Sequence, residues 1–194
     1  MLPVSRSMQV WVGLVLGALL IATREYHFAT LDLLPSASWS VFFLAGIFLS
    51  PIWVFPALFV AAALLDLWAV TWGGVSSFCI SPAYALLIPA YGALWSAGRL
   101  YAAAYRPRWS NVAVLGAYLL VGAVVCDLLS SGGFYFLSGR FQHPALATFG
   151  ARFVTYFPPY LESLLFYVGI AAGTHTAALV LSSSARRRAE RQAK

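Results

Sequence analysis

The sequence predicts an all-α integral membrane protein of six transmembrane helices, and three observations carry that expectation. Of 194 residues 61% are apolar and only 9% are charged, against roughly 45–50% and about 25% in a soluble domain. The apolar residues, about 118 of them, gather in six runs, and a bilayer crossing needs about 20 mostly apolar residues. No linker or internal repeat divides the chain, so residues 1–194 read as one domain. A soluble monomer, a disordered chain and a disulfide framework are all excluded, the last because there are two cysteines.

The first run, Met8 to Ala22, follows Arg6 and has the look of a signal-peptide core. Arg24, Glu25, Tyr26 and His27 come after it without a cleavage site, so it reads as a retained helix. Trp39 to Leu49 is a second span and a short one. Ile52 to Thr71, Pro82 to Ala97, Val112 to Leu129 and Tyr160 to Leu181 complete the set. Pro158 and Pro159 are expected to start or kink the last helix, because proline suits a first turn and disrupts an interior.

Small residues recur four apart in the first helix, Gly13 with Gly17 and Ala18 with Ala22. At 100° per residue Gly13 and Ala18 differ by about 140°, so the pairs occupy two faces. One suits packing inside the bundle and the other close approach by a partner protein, with internal packing of both as the plainer alternative. Gly169 and Gly173 repeat the spacing in the last helix, where internal packing is expected.

The net charge of +6 comes almost entirely from arginine. Its only run is Arg186, Arg187, Arg188, Arg191 and Lys194, just after an apolar segment, which reads as an anchor beside anionic headgroups and not as a nucleic-acid footprint. Six spans put both termini on one side. An N-in, C-in orientation then holds nine basic residues inside (Arg6, Arg99, Arg106, Arg108 and the terminal five) and three outside (Arg24, Arg140, Arg152), as the positive-inside rule requires.

An ionisable residue at the bilayer centre costs at least ~2.5–3.5 kcal/mol, so the few near the spans are informative. Asp66 and Asp127 lie toward the outer ends of the third and fifth helices, and Glu162 in the first turns of the last. With Arg24, Glu25, Tyr26, His27, Cys79, Tyr84 and, in the last outer loop, Arg140, His143 and Arg152, they define one extracytoplasmic zone. The cytoplasmic halves hold little beyond His175, expected as a neutral histidine hydrogen-bonded across the bundle. Polar groups on one side suit capture from outside without a complete conduction path. Aromatic residues are dense from Trp72 to Tyr84 and from Phe134 to Tyr160, beyond the needs of an interfacial belt. They suit a broad pocket for a large, partly apolar ligand with amide or hydroxyl groups at its rim.

Cys79 sits where a polar stretch turns into the fourth helix, and a helix N-terminus favours the thiolate. No cysteine and histidine spacing fits zinc. A single thiolate suits one axial position on a metal already held by a macrocycle. A buried inert cysteine and a disulfide with Cys126 stay open on spacing alone.

Cys79 ahead of Pro82 and Tyr84, Asp66 in the preceding helix, His27 after the first helix and Arg152 in the last outer loop make the chain resemble the BtuM-type vitamin B12 permeases. These are similar to the substrate-binding S-components of energy-coupling-factor (ECF) transporters. The likeness runs over essentially the whole chain. It implies an S-component-like bundle in a bacterial cytoplasmic membrane that binds cobalamin on the outer side and delivers it inward. Cys79 would ligate cobalt and displace the cyano ligand of cyanocobalamin, while His27, Asp66, Phe78, Tyr84 and Arg152 would shape the corrinoid site. Ala18 and Ala22 would meet the transmembrane and ATPase subunits of an ECF module. Three other readings stand beside it: a membrane enzyme using Cys79 as nucleophile with His27 or His143 as base, an S-component for another vitamin such as thiamin or biotin, and a structural subunit.

Overall fold

A computed structural model of the chain describes residues 5–24, 35–74, 76–77, 81–106 and 111–192. Among the described residues every regular element is helical: α1 (Arg6–Arg24), α2 (Ser38–Phe48), α3 (Val54–Thr71), α4 (Leu87–Ala104), α5 (Asn111–Asp127), α6 (Gly133–Leu137) and α7 (Leu146–Gln192). A 3₁₀ turn, Pro82–Leu86, leads into α4, with proline at the position where its missing N–H is harmless. A π turn, Leu128–Gly132, joins α5 to α6, so Asn111–Leu137 forms one 27-residue rod. Each of the six apolar runs falls on one of these rods.

Three of them, α1, α3 and the α5–α6 rod, are long and apolar enough to cross a membrane. Their outer faces carry large apolar side chains, among them Trp11, Leu14 and Ile21 on α1 and Val60, Leu64 and Leu67 on α3. An apolar surface of this extent is consistent with contact to lipid tails.

The short second run has a different place. With 11 residues, α2 is about 16 Å long, half the thickness of a hydrocarbon core. Every residue from Ser38 to Ile47 is buried. A helix apolar on all sides belongs inside a bundle, and α2 packs chiefly on α4, with α1, α3 and α7 around it. The α2–α4 crossing is made by glycine. A Cβ on Gly46 would land on the carbonyl oxygen of Trp95, and one on Gly98 would land on that of Phe43. Neither glycine belongs to the small-residue pairs noted in the sequence. Of those, a Cβ on Gly13 would meet only Leu49, at 3.9 Å, and one on Gly17, Gly169 or Gly173 would meet nothing within 4 Å among the described residues outside its own helix backbone. The internal packing expected of Gly169 and Gly173 is therefore absent among the described residues.

Helix α7 departs from expectation. It begins at Leu146, well before Tyr160, and runs through Pro158 and Pro159. Two backbone donors are lost there, but Phe149, Phe153 and Phe157 line one face across the turn. Phe153 stacks on Phe157 at 4.7 Å, Phe149 on Tyr135 at 5.8 Å, and Phe157 meets Trp39 at 6.3 Å. This aromatic packing outweighs the local preference for a break, and it moves Arg152 from the expected loop onto the helix. Further along, the His175 ring packs near Phe48 and Tyr105 at 6.4 and 6.3 Å, aromatic neighbours in place of the expected cross-bundle hydrogen bond.

The tight crossing yields a contrast. Gly98→Ala should lower stability by about 1–3 kcal/mol, as overpacking does, whereas Gly169→Ala, facing open space, should leave the thermal midpoint in detergent unchanged or slightly raised.

Candidate functional site

Alternation of the helices brings the C-terminal ends of α1, α3 and α5 together with the N-terminal ends of α2, α4 and α7. Arg24, Asp66 and Asp127 collect at that end. Asp66, five residues before the end of α3, receives both forks of Arg24: Nε donates to Oδ1 at 2.7 Å and Nη2 to Oδ2 at 2.6 Å. This bidentate pairing is the strongest geometry open to a guanidinium and a carboxylate. The Tyr84 hydroxyl, on the 3₁₀ turn, donates to Oδ2 at 2.6 Å. The remaining Arg24 nitrogen, Nη1, donates to Ser38 Oγ at 3.1 Å and reaches Tyr91 Oη at 3.4 Å. The Arg24 and Asp66 side chains are 9% and 29% exposed. One ion pair thus joins α1, α2, α3 and α4.

Beside it lies a cavity of about 200 Å³ lined by Arg24, Ser36, Ser38, Trp39, Tyr91 and Tyr160. A larger one of about 350 Å³ opens between the α5–α6 rod and α7. Tyr160 lines both and stacks on Trp39 at 5.1 Å. In the larger cavity Arg152 is collared by the rings of Tyr156, Phe141 and Tyr135 at 5.2, 5.3 and 5.7 Å. Asp127, 1% exposed, also lines it and accepts a hydrogen bond from Ser131 Oγ at 2.7 Å.

The structure therefore joins two of the expected site residues, Asp66 and Tyr84, through a direct hydrogen bond. It puts Arg152 in the other cavity, apart from that bond. His27, Phe78 and Cys79 lie outside the described residues. Cys126 is fully buried in the core. His143, the alternative base, is exposed in the connection before α7 and lines neither cavity. Among the described residues no three His, Cys, Asp or Glu side chains converge as a metal cage would require.

Arg24 belongs to the extracytoplasmic zone expected from the sequence, whereas Ser38 and Tyr91 do not. The signal for Arg24 was its depth, at the outer end of an apolar helix and level with an acid in another. Asp127 belongs to the same expected zone and Tyr160 to its aromatic stretch, while Ser131, just beyond the fifth run, carries no such signal.

No protein-family model matches the sequence, and no curated protein matches it at a significant level.

Breaking the ion pair from one side leaves a buried charge. Asp66→Leu should cost about 3 kcal/mol or more, read as a lower thermal midpoint in detergent, and combining it with Arg24→Met should recover most of the loss. Tyr84→Phe removes one hydrogen bond to a charged acceptor and should cost about 1.5–3 kcal/mol.

Proposed function

We propose that this chain binds cobalamin or a related corrinoid on the outer side of a bacterial cytoplasmic membrane and carries it inward, spanning the membrane with six helical segments and both termini inside. The observation that carries the reading is the convergence at one end of the bundle: the Asp66–Tyr84 bond, an aromatic-walled cavity holding Arg152 and Asp127, and a second cavity sharing Tyr160. The orientation is supported at the opposite end. Arg99 Nη2 donates to the carbonyls of Leu49 and Ser50 at 3.3 and 2.6 Å, and the basic excess of the sequence lies with the termini.

Cys79 precedes Tyr84 by five residues and Ser81 by two. Asp66 holds the Tyr84 phenol, and with it the turn that follows Cys79 in the chain. Asp66 is in this reading a positioning residue, since its carboxylate is engaged by Arg24 and Tyr84. The thiol is the cobalt ligand. When cyanocobalamin binds, the Cys79 S–H bond breaks, a sulfur–cobalt bond forms, and cyanide leaves with the proton as hydrogen cyanide. Cobalt keeps its oxidation state, so no reductant is needed. His27 and Phe78 complete the site by resemblance, and the aromatic walls suit the face of a corrin.

Ala18 and Ala22 are exposed on α1, on the side opposite the buried Leu16, Leu20 and Thr23. That face is open to the coupling subunit of an ECF module.

Two experiments test the reading. Purified protein should shift the absorption spectrum of cyanocobalamin and release cyanide, and Cys79→Ala should do neither; an unchanged spectrum with the unaltered chain, or the same shift with Cys79→Ala, overturns the assignment. Ala18→Trp should abolish uptake by cells while leaving corrinoid binding intact, whereas unimpaired uptake removes the docking role of that face.

A further inference from the structure

The two acids at this end of the bundle are treated differently. Asp66 is neutralised by Arg24. Asp127, nearly fully buried, forms no ion pair with a described residue, and its one hydrogen bond comes from Ser131 on the π turn. Arg152 lines the same cavity from α7 and has three rings around it but no hydrogen bond to a described residue. A carboxyl group and a guanidinium thus border one cavity without pairing with each other. A buried carboxylate with spare acceptor capacity is costly unless something completes it.

The π turn follows the acid directly and supplies Ser131, whose i+4 spacing returns it to Asp127 as on any helix face; such turns are often associated with functional sites. It is held from two sides. A Cβ on Gly132 would sit 3.2 Å from Phe149 of α7, and one on Gly133 would strike Leu86 of the 3₁₀ turn.

The aromatic lining disfavours a strongly hydrated ion. A neutral group that offers an acceptor and a donor on separate atoms can face both poles at once, and a primary carboxamide is such a group. We propose that Asp127 and Arg152 form a subsite for a primary carboxamide of the ligand, Arg152 donating to its carbonyl oxygen and Asp127 accepting from its NH₂. Asp127 is then a specificity-determining residue. The inference rests on the corrinoid reading, since corrinoids carry several such amides on their rim.

Monocarboxylic acid derivatives of cyanocobalamin, each with one peripheral carboxamide hydrolysed, provide the test by calorimetry. In the unaltered chain one derivative should bind at least about tenfold more weakly than the parent, because a site built to hydrogen-bond a donor rejects the analogue lacking it and two carboxylates would meet. Asp127→Asn is isosteric, keeps an acceptor for Ser131 and presents an N–H to the cavity. It should restore that derivative and weaken the parent, reversing the preference. Equal binding of all derivatives, or a preference that survives Asp127→Asn, overturns the subsite while leaving the corrinoid reading intact. Failure of the unaltered chain to bind the parent corrinoid overturns both.

Discussion

The pairing of Arg24 with Asp66 organises the end of the bundle. Apolar helices in lipid gain little from hydrophobic burial against one another, because the tails they displace are equally apolar. Close packing, as at the Gly46–Gly98 crossing, and polar contacts between helices therefore decide how the helices are set. Arg24 engages Asp66 on α3 with two nitrogens and Ser38 on α2 and Tyr91 on α4 with the third. Asp66 in turn holds Tyr84. Four helices and the turn into the fourth are referred to one carboxylate. Removing either charge leaves the other in a low-dielectric setting, where its desolvation is uncompensated.

The same constraint explains how an 11-residue helix can be enclosed. Helix ends carry unpaired backbone groups that need partners. At the leading end of α2, Thr23 Oγ1 accepts from the Ala37 N–H at 3.0 Å, Ser163 donates to the Ser36 carbonyl at 2.5 Å, and Tyr167 donates to that of Pro35 at 2.7 Å. At its trailing end Arg99 serves the carbonyls of Leu49 and Ser50, and the Ser50 N–H donates to Gln9 at 3.0 Å. Side chains of α1, α4 and α7 thus do what water does at a surface helix. The leading end of α2 also contributes Ser36, Ser38 and Trp39 to the smaller cavity, so the element that fills the bundle is the one that floors it.

Much of the helix inventory was legible because each apolar run is long relative to its breaks. Proline before α4 and the Gly73, Gly74 pair after α3, with Gly74 at φ +70°, mark their boundaries. The second run was readable as short, but its burial on all sides was not, since periodicity is absent both in a lipid-facing span and in a buried one. The Gly46–Gly98 crossing was hidden because the two glycines are on different helices, and no spacing within one helix reports it. The start of α7 was misread because proline speaks only for local backbone preference, while Phe149, Phe153 and Phe157 act through Trp39 and Tyr135, distant in sequence. The depth of Asp66 identified it as a residue needing a partner. Which partner depends on a contact 42 positions away, and only the packed bundle supplies that.

The two cavities share Tyr160 yet differ in how their charges are met, and that difference separates structure from recognition. Around the smaller cavity the ion pair is closed: Arg24 and Asp66 satisfy each other and their hydroxyl neighbours. A ligand entering there meets polar edges but would gain little from charges already matched. Around the larger cavity Asp127 and Arg152 border the same space from different helices, each supported locally, by Ser131 and by aromatic rings, and neither completed by the other. Groups pre-oriented at a cost to the empty protein return that cost when a complementary ligand arrives. On the proposed reading, the polar groups left unmatched by folding are the ones a ligand can read, while the matched pair next to them keeps the walls in place.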